Sequence, residues 1–151
     1  MESKMNFFDG LMSNEIFLCA FVSWFIAQAL KVILTLWKSK KLDMNRMFGS
    51  GGMPSSHTSS VMGLSTAVGL TQGWETPLYA VALMFSLIVM YDASNVRRNV
   101  GKQATLLNNI IEDLYKHHHV EQERLIELVG HTPIEVFAGA ILGIAVANYM
   151  C

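Results

Sequence analysis

Charge is what this sequence has least of. Of its 151 residues, 15 % are charged and 52 % hydrophobic, where soluble domains carry about 25 % charge. That shortfall points to a membrane protein before any segment is inspected. The charges that exist balance to a net of −1 with no stripe of Lys and Arg, so nothing favours a nucleic-acid partner, and that class is dropped. Cysteine is nearly absent as well. Cys19 lies in an apolar stretch, Cys151 is the last residue, and neither belongs to a CxxC or Cys/His spacing, which argues against a disulfide framework or a zinc site. A signal peptide is missing too: MESKMNFFDG is acidic, and no small-residue cleavage site follows a short apolar core, so the first apolar segment is expected to stay in the protein. There is no internal repeat, and the length suits one domain rather than two.

What the sequence does have is apolar runs near the ~20 residues that span a bilayer. They give an expected all-α membrane bundle of about four spans, at 16–37, 57–71, 77–95 and 132–150, forming one domain over 1–151. The second run is short and rich in Gly, Ser and Thr. Small residues favour close helix packing over lipid exposure, so it reads as an interior helix. Basic residues set the orientation: Lys38, Lys40, Lys41 and Arg46 follow the first run, and Arg97, Arg98 and Lys102 follow the third. The turn over 71–77 and the C-terminus have none. The positive-inside rule then puts both termini outside and these two loops in the cytoplasm.

The third loop, 96–130, carries Leu106, Leu107, Ile110, Ile111 and Leu114, then Leu125, Ile126 and Val129, at helical spacing between polar residues. It is expected to form one or two amphipathic helices on the cytoplasmic end or in the headgroup layer. His117, His118 and His119 inside it are adjacent, and neighbours on a helix point about 100° apart, so a solvated surface is the reading and no metal is expected.

Four distant segments deliver polar residues to one end of this topology. GSGGMPSSHTSSVMG (49–63) opens the second run and brings Gly52, Ser55, Ser56 and His57. Asp92, Asn95, Arg97 and Arg98 close the third run, His131 and Glu135 open the fourth, and Lys31 sits within the first. Ionisable residues at membrane depth are costly and mark function. The inventory suits an anion: arginine forks match phosphate oxygens, and a helix N-terminus after Gly–Gly offers free N–H groups. Capping by Ser55 or Ser56 would use that same helix start. His131 and Glu135 are spaced i, i+4, so the carboxylate can fix one ring nitrogen and leave the other nucleophilic. His57 can hold a proton for a leaving alkoxide.

At these residues the sequence resembles a known family. PSSH (Pro54–His57) is similar to the PSGH motif of the type-2 phosphatidic acid phosphatase and vanadium haloperoxidase superfamily. GGMPSSH, VMYDASNVRRNVGKQATLLN and GHTPIEV together resemble its small divergent branch of four-span membrane proteins, from about Gln28 to Leu142. The resemblance implies a metal-independent, cofactor-free lipid phosphate hydrolase. His131 would be the nucleophile, Glu135 its orienter and His57 the acid, with Lys31, Ser55, Ser56, Arg97 and Arg98 on the phosphate. Gly52, Asp92 and Asn95 are supporting candidates by position alone; Asp92 has no counterpart in the superfamily motif and reads as a salt-bridge partner of Arg97, Arg98 or Lys31. The implied substrates are phosphatidylglycerophosphate, phosphatidic acid or a prenyl diphosphate, met at the cytoplasmic face.

Three departures from the superfamily pattern stand out. No Arg-Pro follows a lysine, leaving Lys31, with Lys38 behind it, as the first-motif residue. A glutamate replaces the customary aspartate. The arginines lie far ahead of His131 instead of shortly before it. A catalytically silent protein that grips anionic headgroups is the alternative reading. A transporter fits poorly, because the third and fourth runs turn apolar away from the cytoplasmic end. Membrane lipids are the expected surroundings. A homodimer is plausible for so thin a bundle, with Gly139 and Gly143 as one possible packing face, equally usable within the chain.

Overall fold

The computed structural model describes residues 6–39, 52–115, 125 and 130–151; the Gly49–Gly51 part of the glycine-rich stretch and the three-histidine run lie outside them. Among the described residues the chain is all-helical. A short α1 (Phe7–Met12) precedes α2 (Glu15–Ser39), α3 (Ser56–Gln72) and α4 (Pro77–Tyr91). One π-helical turn (Asp92–Val96) joins α4 to α5 (Arg97–Tyr115), and α6 (Pro133–Met150) closes the fold.

Three stretches are long and apolar enough to cross a membrane: Glu15–Trp37, Pro77–Glu112 and Pro133–Met150. The remaining long helix of the bundle, α3, has 17 residues, at the short end of what spans a bilayer. It is the centre of the bundle, packed on α2, α4 and α6. Its sequence explains the position. Ser56, Thr58, Ser59, Gly63, Ser65, Thr66, Ala67, Val68 and Gly69 are all buried, and such small side chains let helix backbones approach closely. Gly139 and Gly143 of α6 meet it there: a Cβ on Gly139 would run into the Ser55 carbonyl, and one on Gly143 into the Ser59 carbonyl and the Gly63 amide. This GxxxG face is therefore consumed inside the bundle.

Hydroxyls join the helices where lipid offers no water. Ser59 Oγ donates to the Ser23 carbonyl at 3.0 Å, Ser60 Oγ to the Ala20 carbonyl at 3.1 Å, and Ser86 Oγ to the Val61 carbonyl at 2.8 Å. The outside of the bundle is the reverse of a soluble protein's: Phe21, Phe25, Val81, Met84, Ile88 and Phe137 are exposed while serines, threonines and alanines fill the core. Exposed apolar surface on that scale has to meet another apolar phase, so the chain is a multi-pass membrane protein.

Local chemistry sets the helix ends. Thr76 accepts from the Tyr79 N–H at 3.3 Å with Pro77 as the first helical residue of α4, the place where a missing N–H costs nothing. Gly73 ends α3 at φ +99°. Beyond the third run the helix does not stop. The expected cytoplasmic insertion begins as a continuation of α4 through the π turn into amphipathic α5, whose Leu106, Leu107 and Ile110 are exposed. Buried Asn108 of α5 then holds the returning chain, its Nδ2 donating to the Leu125 carbonyl at 3.0 Å and its Oδ1 accepting from the Leu125 N–H at 3.1 Å.

Candidate active site

The first turns of α3 and α6, the last turn of α4 and the π turn meet at one end of the bundle. Two backbone bonds hold them in register. The Ser55 N–H donates to the Glu135 carbonyl at 3.0 Å, and the His131 N–H donates to the Ala93 carbonyl at 3.0 Å. The second bond depends on the π turn. In a regular helix the Ala93 carbonyl would accept from the Arg97 N–H, but that N–H is drawn to the Asp92 carbonyl. The Ala93 carbonyl is thereby available to the chain entering α6.

Gly130 completes the junction. It has φ +97°, and a Cβ on it would strike the backbone of Arg97 and Arg98. The insertion thus leaves the membrane end at Arg97 and returns onto Arg97 and Arg98 before delivering His131.

His131 is buried, with 4 % of its surface exposed. Its Nδ1 donates to Glu135 Oε2 at 3.2 Å; a carboxylate only accepts, so the proton is on Nδ1 and the Nε2 lone pair is unprotonated in the neutral ring. The same Oε2 accepts from the Thr132 N–H at 3.0 Å, and Thr132 Oγ1 accepts from the Glu135 N–H at 3.4 Å. This is a capping box. Glu135 therefore caps α6 and orients His131 with one oxygen. Burial pushes the His131 imidazole below the usual histidine range, against the pull of the Glu135 hydrogen bond and charge, and Lys31 and His57 add to the downward push.

A small pocket opens beside this histidine, lined by His57, Asp92, Ala93, Arg97, Gly130 and His131. His57, in the first turn of α3, is exposed at its mouth; desolvation, then the charges of Arg97 and Lys31, push its imidazole below the usual histidine range, against the pull of Asp92. Arg97 Nε donates to Asp92 Oδ2 at 2.6 Å, which aims the guanidinium while its terminal nitrogens keep four further N–H donors. A groove of about 410 Å³ leads away from the same His57, Asp92 and Arg97 between α2, α3 and α4, past Trp24, Val61, Phe85 and Ile88.

The other sequence-derived candidates are placed as follows. Lys31 is 3 % exposed and its stem lies under Gly52, where a Cβ would sit 3.5 Å from Lys31 Cγ; Gly52 itself has φ +91°. Ser55 is the α3 cap, its Oγ accepting from the Thr58 N–H at 3.4 Å and from Thr58 Oγ1 at 3.0 Å. Ser56 is buried in the first turn of α3. Arg98 and Asn95 are exposed, and they, like the buried Lys31, Ser55 and Ser56 and like Gly52, do not line the pocket. Sequence reasoning missed Thr132, whose Thr-x-x-Glu spacing was a readable capping signal, and the Ala93 carbonyl, for which no signal exists.

A sequence profile described as the Divergent PAP2 family matches residues 12–146. The chain is also 39 % identical over 145 residues to the uncharacterized membrane protein YuiD of Bacillus subtilis (strain 168), an alignment covering 89 % of this chain and 92 % of that one. No solved structure matches. With nearly its whole length matched by the profile, and the three motifs gathered at one end of its bundle, the chain belongs to the divergent PAP2 family.

Proposed function

We propose that this protein is an integral membrane phosphatase that hydrolyses a lipid phosphate through a phosphohistidine on His131. The observation that carries the reading is the pairing of a buried, Glu135-held imidazole with His57 and Arg97 on one pocket. Burial keeps the imidazole neutral near pH 7, so its Nε2 lone pair can attack phosphorus. Glu135 then stabilises the positive charge that develops on the ring. As the P–O bond breaks, His57, protonated beside the bound phosphoryl charge, gives its proton to the departing alkoxide. Neutral His57 next takes a proton from water, which attacks the phosphohistidine and returns His131 with release of phosphate. Arg97 and Lys31 offset the phosphoryl charge, and the N-terminus of α3 at Ser56 adds the positive end of its dipole, the Ser55 N–H being already given to the Glu135 carbonyl. Arg98 and Asn95, outside the lining, serve at most the rim, and Asp92 fixes Arg97.

A lipid substrate is favoured over a soluble phosphoester by the groove. About 410 Å³ of largely apolar space continuous with the polar pocket suits a tail whose headgroup is at His131, and it is in the size range of ligand sites. Charge in the loops favours a cytoplasmic site with extracytoplasmic termini, so the inner leaflet would present phosphatidylglycerophosphate, phosphatidic acid or a prenyl diphosphate, the first being preferred. The test is phosphate release by purified protein from each of these lipids, alongside His131→Ala. Release that vanishes in the variant, with an acid-labile labelled intermediate trapped only in wild type, supports the mechanism. Full rate in His131→Ala overturns it, and binding of lipid phosphate without any release selects the silent headgroup-binding alternative.

A further inference from the structure

The end of the bundle opposite the pocket carries a feature the phosphatase reading does not use. The sequence contains two cysteines. They are 132 positions apart, yet their sulfurs meet at 3.0 Å. Cys19 is fully buried in the first turns of α2, against Ala67 of α3, Ala147 of α6 and Ile16. Cys151 is exposed, and its N–H donates to the Ala147 carbonyl at 2.9 Å, which extends α6 far enough to lay the thiol on α2. Both are free thiols.

We propose that Cys19 and Cys151 are a disulfide-forming pair that covalently ties α6 to α2 at this end of the bundle. The two are asymmetric in a useful way. Cys151 is open to an oxidant and Cys19 is not, so the order of events is set. The Cys151 thiolate attacks a small or protein disulfide, forming a mixed disulfide and releasing one thiolate. Cys19 then loses its proton, attacks the Cys151 sulfur and expels the second thiolate. Two thiols are oxidised, one external disulfide is reduced, and two protons are released. Closing the remaining gap to about 2.05 Å asks for movement at Cys151, the residue just past the end of α6. The loop charges put this end outside the cytoplasm, where disulfides persist. The bond also closes a long loop, the case in which a cross-link constrains the unfolded chain most.

The test uses the whole protein in detergent: reduced, freed of reductant, exposed to oxidised glutathione, then denatured, alkylated with a maleimide and weighed intact. The expected result is a monomer about 2 Da lighter with neither thiol alkylated. Its melting temperature should rise by of the order of 5 °C, reversibly with dithiothreitol. Cys151→Ser, a change at an exposed position, should keep Cys19 alkylatable and show no such rise. The proposal is overturned if wild type keeps both thiols, stops at glutathionylated Cys151, or forms only disulfide-linked dimers. None of these readouts involves phosphate release, so failure here and failure of the phosphatase reading are separable.

Discussion

Glu135→Gln is the sharpest probe of the site, because Glu135 Oε2 does two jobs that this substitution separates. The amide oxygen of Gln can still accept from the Thr132 N–H, now at 3.0 Å, so the α6 start survives. The charge that holds His131 Nδ1 at 3.2 Å is lost. A hydrogen bond to a charged group is worth about 1.5–3 kcal/mol. If that stabilisation is needed only as the imidazole becomes positive, the rate of phosphate release falls about 10- to 100-fold. The pH profile moves in a direction that can be stated in advance. Activity requires neutral His131, so its acid limb follows the His131 pKa, already below the usual histidine range because of burial. Glu135 pulls that value up, so removing its charge lowers the pKa further and shifts the acid limb to lower pH while the plateau drops. Steady-state kinetics on detergent-solubilised protein from pH 4 to 8 (about the range in which histidine titrates) would read both. An unchanged plateau, or a limb displaced upward, refutes the orienting role.

Three further predictions follow from the same geometry. His57→Gln should cost about 10²- to 10⁴-fold on a lipid alkoxide leaving group but far less on p-nitrophenyl phosphate, whose leaving group needs no proton; equal losses on both would remove His57 as the acid. Arg97→Lys loses the Nε bond to Asp92 at 2.6 Å and the bidentate fork, so KM for the phosphate ester should rise about tenfold with thermal stability little changed, and an unaltered KM would put the phosphate elsewhere. Gly143→Ala places a methyl against the Ser59 carbonyl and Gly63 amide. Overpacking of about 1–3 kcal/mol should lower the melting temperature by several degrees, whereas Gly10→Ala, with nothing within 4 Å, should not; equal melting curves would count against close α3–α6 packing.

The helical bundle was legible because membranes leave few alternatives: runs such as Glu15–Trp37 and Pro133–Met150 are predominantly apolar and cannot satisfy their backbone any other way. The central position of α3 was legible for a subtler reason, that Ser, Thr and Gly are wasted on lipid but let backbones touch. Its length was harder to read: the run expected at 57–71 is the 17-residue helix Ser56–Gln72, at the short end of what spans a bilayer. Helix α1 went unseen because six residues give periodicity nothing to work on. The clustering of His57, Arg97 and His131 was readable from topology, whereas the exclusion of Arg98 and Asn95 from the pocket was not. Adjacent residues on a helix diverge by about 100°, and which one faces inward depends on the local winding.

That winding is the π turn, and it bears on the least orthodox feature of the sequence. In the motif this chain resembles, the arginine stands shortly before the histidine, so chain continuity alone keeps the two together. Here the whole insertion intervenes, and contiguity has to be replaced by tertiary contacts. The replacement is built from parts that look unremarkable in one dimension. An extra residue in the winding at Asp92–Val96 frees the Ala93 carbonyl, and the His131 N–H takes it at 3.0 Å. A glycine at φ +97° lets the returning chain lie on the Arg97–Arg98 backbone, where any side chain would collide. The turn also sets Asp92 to grip Arg97. Both halves of the junction are backbone features, which explains why residue types alone did not announce them. It follows that the separation of Arg97 from His131 along the chain is no argument against a shared site, because the distance that matters is set by the Ala93–His131 bond.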